Sequence, residues 1–135
     1  MSSGRLRAVT VEEILFFHYD VITLDGGAPG IRNWGELEAA AARPYAGFAS
    51  YERFPTTFAK AAALMESIIQ RHPFVDGNKR TGLKAGVFLL FLAGYELTPP
   101  PEPLTEITLE VANHRLDVDG LAQWLQENAR PRTFS

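Results

Sequence analysis

The stretch His72-Pro73-Phe74-Val75-Asp76-Gly77-Asn78-Lys79-Arg80-Thr81-Gly82 runs directly into an almost wholly apolar segment, Leu83 to Gly94. Pro73 ends whatever helix precedes it, and Gly77 permits a turn. Leu83 to Gly94, apolar on nearly every face, then reads as a helix buried on all sides and as the centre of the core. Upstream, Pro55 suits the first turn of a helix running to about Arg71, which delivers His72 at its C-terminal end. A charged loop between two packed helices is therefore the feature around which the chain is organised.

Working outward, Thr10 and Glu13 have the spacing of a capping box, in which each residue's side chain accepts from the other's backbone N–H. Ile14, Leu15, Phe17, His18, Val21, Ile22 and Leu24 follow at near-helical spacing, so a first helix is expected from Val11 to Leu24. Gly26, Gly27, Pro29 and Gly30 break it, leaving Asp25 to Arg32 as an exposed loop or short hairpin. Asn33 with Glu36 caps an alanine-rich second helix that ends before Pro44. Tyr45 to Phe54 is aromatic and glycine-containing without a clear period. Thr98 to Pro103 holds four prolines and reads as a surface crossover, neither helix nor central strand, before helices at Thr105 to His114 and Val118 to Asn128. Ala129 to Ser135 is expected to fray. The fold class is all-α, a helical bundle with a small flap loop or hairpin.

With 135 residues, 46% of them apolar, the chain can bury one core and is short for two, so a single domain over 1–135 with its core at about 10–128 is expected. A net charge of −3 gives no basic field of the kind general nucleic-acid binding needs. Cysteine is absent, which removes disulfides, thiolate metal sites and thiol nucleophiles and suits a reducing cytosol. No apolar h-region follows Met1 to Thr10, and the longest apolar run, Ala85 to Tyr95, is far short of the roughly 20 residues of a membrane span. The expectation is a cytoplasmic protein with neither nucleic acid nor membrane as its partner.

Taken singly, the loop residues have ordinary readings. A His before Pro is usually a helix-end residue, Asp-Gly-Asn an everyday turn, and Lys-Arg a solvated face. Phe74 is read as a core anchor for the loop. Together they differ. A loop entering a helix offers free N–H groups and a dipole to an anion, and Lys79 and Arg80 add positive charge there, so phosphate is the expected guest. Asp76 would repel bare phosphate unless a hard cation bridges the two, as Mg²⁺ does. His72, with a reference pKa of about 6.5, can accept a hydroxyl proton near neutrality. These are the parts of a phosphoryl- or nucleotidyl-transfer site: base, metal ligand, phosphate cradle and charge clamp.

His72-x-Phe74-x-Asp76-Gly77-Asn78-x-Arg80 resembles the Fic/Doc family signature, His-x-Phe-x-Asp/Glu-Gly-Asn-x-Arg. Six fixed positions at about 5% usage each match by chance at one start in about 10⁷ to 10⁸. Gly26 to Arg32 and the following Leu37 to Pro44 look like the family's flap and next helix, and the resemblance covers roughly residues 10 to 128. Lys79 after Asn78, and Leu83 where AMP-transferring members place a second Arg, are similar to the Doc (death-on-curing) branch. Gly77 departs from it, since Doc often has Ala there.

What the resemblance implies is the toxin of a toxin–antitoxin pair, an ATP- and Mg²⁺-dependent protein kinase acting on a threonine of translation elongation factor Tu. The alternatives are transfer of AMP to a protein hydroxyl, and a binding module without turnover, against which intact His72 and Asp76 argue. By the same resemblance His72 is the catalytic base, Asp76 holds the metal, and Gly77, Asn78, Lys79 and Arg80 hold the nucleotide phosphates. The flap Gly27, Ala28, Pro29, Gly30 and Ile31 presents a strand edge to the target. Thr81 and Lys84 are candidate helpers. The family's inhibitory helix, Ser/Thr-x-x-x-Glu-Gly/Asn, has no match. Its nearest window, Thr98 to Pro103, ends in Pro. Control is therefore expected from an antitoxin whose disordered segment folds into a groove.

Overall fold

A computed structural model describes residues 7–133. The chain runs α1 (Val11–Asp25), α2 (Trp34–Ala42), a 3₁₀ turn (Arg43–Tyr45), β1 (Gly47–Phe48), β2 (Tyr51–Glu52), α3 (Thr57–Arg71), α4 (Asn78–Leu92), β3 (Tyr95–Leu97), α5 (Pro101–Ala112), α6 (Val118–Glu127) and β4 (Ala129–Pro131). The architecture is helical, with two small antiparallel pairs, β1 with β2 and β3 with β4. The capping box at Thr10 and Glu13 forms as expected. Asn33 accepts from the Glu36 N–H to start α2, and Asp117 accepts from the Gly120 N–H to start α6.

The centre of the core is α3, not α4. Ala61, Ala62, Ala63, Leu64, Met65, Ser67, Ile68 and Ile69 are all buried, and α3 packs against α2, α4, α5 and α6. Three consecutive alanines let surrounding helices approach α3 on several sides, while Leu64, Met65, Ile68 and Ile69 each contribute about 1.5–3 kcal/mol of burial. On α4, Gly82 and Gly86 face α3 one turn apart. A Cβ at Gly82 would lie 3.0 Å from Ile69 Cγ1, and one at Gly86 would fall inside the Met65 side chain. These glycines are the reason the helices flanking the charged loop pack so closely. The opposite face of α4 is only partly covered: Leu83, Val87 and Phe88 are half-buried and Phe91 is 47% exposed, so the helix is not buried all round.

Proline accounts for two further corrections. Pro55 precedes α3, and Thr56 is the cap, its hydroxyl accepting from the Ala59 N–H. Pro101 begins α5, with Pro103 still in its first turn, so Thr98 to Pro103 is only partly a crossover. The first helical N–H groups have no intrahelical acceptor, and proline loses nothing there. Ala129 to Pro131 does not fray. It pairs with β3, with Tyr95 opposite Pro131, Glu96 opposite Arg130 and Leu97 opposite Ala129. The end of the segment expected to fray, Phe134 and Ser135, lies outside the described residues. Among the described residues no helix is long and apolar enough to cross a membrane.

Candidate active site

His72 terminates α3 in the left-handed region, φ 51°, and is exposed. Its Nδ1 lies 3.1 Å from the Gln70 carbonyl. A carbonyl oxygen can only accept, so Nδ1 carries the proton and Nε2 of the neutral ring keeps its lone pair. That is the arrangement a general base requires.

Beyond His72 the loop turns on itself. The Asn78 side chain accepts from the Phe74 N–H and donates to the Phe74 carbonyl, both at 3.0 Å, and is buried. The expected phosphate ligand is thus first a staple that closes the loop, leaving its backbone N–H and one amide hydrogen for an anion. Gly77 takes φ 77° as the residue before α4 and has no capping side chain. Thr81 N–H is the first in α4 to reach back, to the Gly77 carbonyl. The N–H groups of Asn78, Lys79 and Arg80 have no acceptor among the described residues, so the helix start has donors free for an anion.

The Asp76 carboxylate stands beside them. It accepts from the Ala28 N–H at 3.2 Å and from the Gly77 N–H at 2.8 Å. These two bonds hold its carboxyl below the ordinary value, against slight desolvation, with Arg80 and Lys79 adding to the effect. Each oxygen retains a lone pair beyond the bond it accepts. No group of three or more His, Cys, Asp or Glu side chains suited to a metal occurs among the described residues. One hard carboxylate fits Mg²⁺ that takes its remaining ligands from phosphate and water.

A cavity of about 260 Å³ lies here, lined by Asp76, Gly77, Asn78, Lys79, Leu83 and Leu109 among others. It is smaller than the roughly 300–1,000 Å³ usual for a whole ligand, so it suits part of a nucleotide. The Arg80 guanidinium, at the cavity's edge, lies 3.5 Å from Asp25. Neither expected helper joins the cavity: Thr81 is fully buried with its hydroxyl unpartnered, and Lys84 pairs with Asp20 at 3.8 Å.

The flap is stitched to this loop. Val75 N–H donates to the Gly30 carbonyl at 3.0 Å, and Arg32 N–H to the Pro73 carbonyl at 2.7 Å, bracketing an antiparallel bridge between Ile31 and Phe74. In such a pair the N–H and C=O of Ile31 itself point away from the partner strand, leaving a short free edge. Gly27 has φ 121°, and a Cβ there would meet Asp76 Oδ2 at 2.8 Å, so only glycine lets the flap approach the carboxylate.

The model of the Fic/DOC family matches residues 8–90, the stretch that carries His72, the Asp76 carboxylate and the open start of α4. The chain belongs to that family. It is 36% identical over 99 residues to the toxin Doc of Mycolicibacterium smegmatis, covering 72% of this chain and 76% of that protein. It is 31% identical over 121 residues to the protein kinase doc of Escherichia phage P1, covering 90% and 94% respectively.

Two residues of this Fic/DOC chain lie outside the motif yet hold its loop. Arg32 donates from Nε to the His72 carbonyl at 2.5 Å and from a terminal nitrogen to the Arg71 carbonyl at 2.6 Å, tying off the end of α3. His18, which the sequence places in the apolar register of α1, is buried against the loop. A histidine in an otherwise apolar stripe is the one signal of it in the sequence.

Beside the cavity, and sharing Arg80, Leu83 and Thr105 with it, runs a groove of about 890 Å³. Phe16, Phe17, Leu83, Val87, Phe88 and Phe91 make its walls mainly apolar.

Proposed function

We propose that this protein is a toxin of a toxin–antitoxin pair and a protein kinase that transfers the γ-phosphoryl group of ATP to a protein hydroxyl. The observation that carries the reading is the opening of α4. Unpaired N–H groups, an ionised Asp76 and the Nε2 lone pair of His72 belong to one short loop. The names of the two Doc relatives support it.

The target segment would lie along the free edge at Ile31 as an added strand, bringing its hydroxyl to His72. His72 Nε2 takes the hydroxyl proton as the oxygen bonds to the γ phosphorus. The bond from that phosphorus to the β–γ bridging oxygen breaks, and ADP leaves. The N–H groups of Asn78, Lys79 and Arg80 orient the phosphates, and Lys79 balances charge on the moving group. Asp76 would hold Mg²⁺, which when bound neutralises phosphate charge. The hydroxyl of an elongation factor Tu-like translation factor is the candidate implied by the Doc likeness, and the cytoplasm is where ATP and such a factor meet.

The end of ATP that moves separates this reading from AMP transfer. Lys79 fills space that a glycine would leave for the outer phosphates, and Leu83 supplies no guanidinium to bind them. Label at the γ position of ATP is expected on the target protein, with none from the α position. Transfer of α-label would overturn the kinase reading in favour of AMP transfer. Lys79→Gly with Leu83→Arg is expected to shift the balance toward α-label.

The apolar groove is where an antitoxin segment would fold, its apolar side on Phe16, Phe88 and Phe91 and its end beside Arg80. Phe16, 62% exposed, gives a clean test because it lies away from the loop. Phe16→Asp is expected to keep label transfer while co-expressed antitoxin no longer prevents growth arrest. Full protection of that variant would place the antitoxin elsewhere.

A further inference from the structure

The His18 imidazole is 6% exposed and lies flat on Phe74, with ring centroids 3.8 Å apart and planes 6° from parallel. Its Nε2 is 2.9 Å from the Asp76 carbonyl oxygen. The carbonyl can only accept, so Nε2 carries the proton and donates. One ring on α1 therefore holds two points of the loop: the face of Phe74, already stapled by Asn78, and the backbone of Asp76 two residues on. Between them they set the peptide from which the Asp76 carboxylate projects. Among the described residues no hydrogen bond from a side chain of α3 or α4 reaches the Asp76 carbonyl, and the Asp76 carboxylate accepts from N–H groups of the flap and of Gly77.

We propose that His18 is a positioning residue for phosphoryl transfer, fixing the orientation of the Asp76 peptide and through it the carboxylate offered to Mg²⁺·ATP. This rests on the transfer reading above. The stack supplies packing and the Nε2–H donation supplies orientation, and two substitutions separate them. His18→Phe keeps an aromatic ring against Phe74 and loses the donor. His18→Gln loses the ring and keeps an N–H at a similar reach.

Binding of Mg²⁺·ATP to the full chain is measured by titration calorimetry, alongside thermal midpoints and amide hydrogen exchange of the ligand-free proteins at Ala28 and Gly77. His18→Phe is expected to bind about tenfold more weakly, the effect of one hydrogen bond, and to exchange faster at both amides while its midpoint stays near wild type. His18→Gln is expected to melt earlier yet bind within about threefold of wild type. Binding and exchange that follow the midpoints, with Gln worse than Phe, would reduce His18 to a packing residue and overturn the proposal. So would a Phe variant identical to wild type. If wild-type protein failed to bind Mg²⁺·ATP, the transfer reading would fall. Exchange at Ala28 and Gly77 would still decide whether His18 orients the loop.

Discussion

His72→Ala is expected to lower label transfer from ATP by about 10²-fold or more, the usual loss when a positioned general base is removed, while the protein stays folded. The ring is exposed, and its one hydrogen bond is to a helix-end carbonyl that water can satisfy in its place. Both residues are non-glycine at φ 51°, so the left-handed backbone costs them about the same. Stability is therefore expected to move by no more than about 0.5–1 kcal/mol. Incorporation of γ-label and the thermal midpoint are measured on the same preparation. A variant that transfers at the wild-type rate, or still arrests growth fully, would remove His72 from the base role.

Asp76→Asn is expected to cost about 10²-fold or more in transfer, because the amide lacks the charge that holds a hard cation and can accept from only one of the Ala28 and Gly77 N–H groups. Raising Mg²⁺ should not restore it. The pH behaviour supplies an independent check. The Ala28 and Gly77 N–H groups hold the folded carboxyl below its ordinary value, so Asp76 stays ionised throughout the neutral and mildly acidic range. A fall in activity between pH 7 and 5 is then not its doing, and the variant's residual activity should keep the wild-type profile at lower height. For stability the sign is that of a depressed carboxylate. The contribution is fully present above the unfolded value of about 3.9 and is lost as pH falls through the folded value. Below pH 4 the wild-type midpoint should therefore drop further than that of Asp76→Asn. Restoration by excess Mg²⁺, or a changed profile shape, would count against Asp76 as the metal ligand.

The helical architecture and the position of the charged loop are legible because they rest on local rules. Thr10 with Glu13, Asn33 with Glu36, and the Pro73-to-Gly77 break are signals within a few residues of one another. Where structure and sequence part, the deciding partner is distant. Leu83 to Gly94 has the pattern of a core helix because apolar residues occupy all its faces. Nothing local shows that one of those faces is only partly covered, so that Phe88 and Phe91 wall a groove. The central place of α3 is hidden because its core positions include alanines, whose small size is what lets helices close in around it. Ala129 to Pro131 has the composition of a frayed end because its partner, Tyr95 to Leu97, is more than thirty residues away in the chain.

The same division holds at the site. Sequence alone determined which groups are present and in what order: a base at a helix end, a carboxylate, a turn glycine and cations at the next helix start, because titration behaviour and turn preference belong to the residues themselves. Tertiary structure decided which of their atoms are free. Asn78 had to fold back on Phe74, which commits its side chain to the loop and leaves its backbone N–H, with those of Lys79 and Arg80, open at the start of α4. Gln70 had to occupy His72 Nδ1, which leaves the Nε2 lone pair free. His18 and Arg32 had to arrive from α1 and the flap to hold the loop by its carbonyl oxygens. A hydrogen bond commits one atom to one partner, and which partner comes within 3 Å is settled by the packing of helices far apart in the chain.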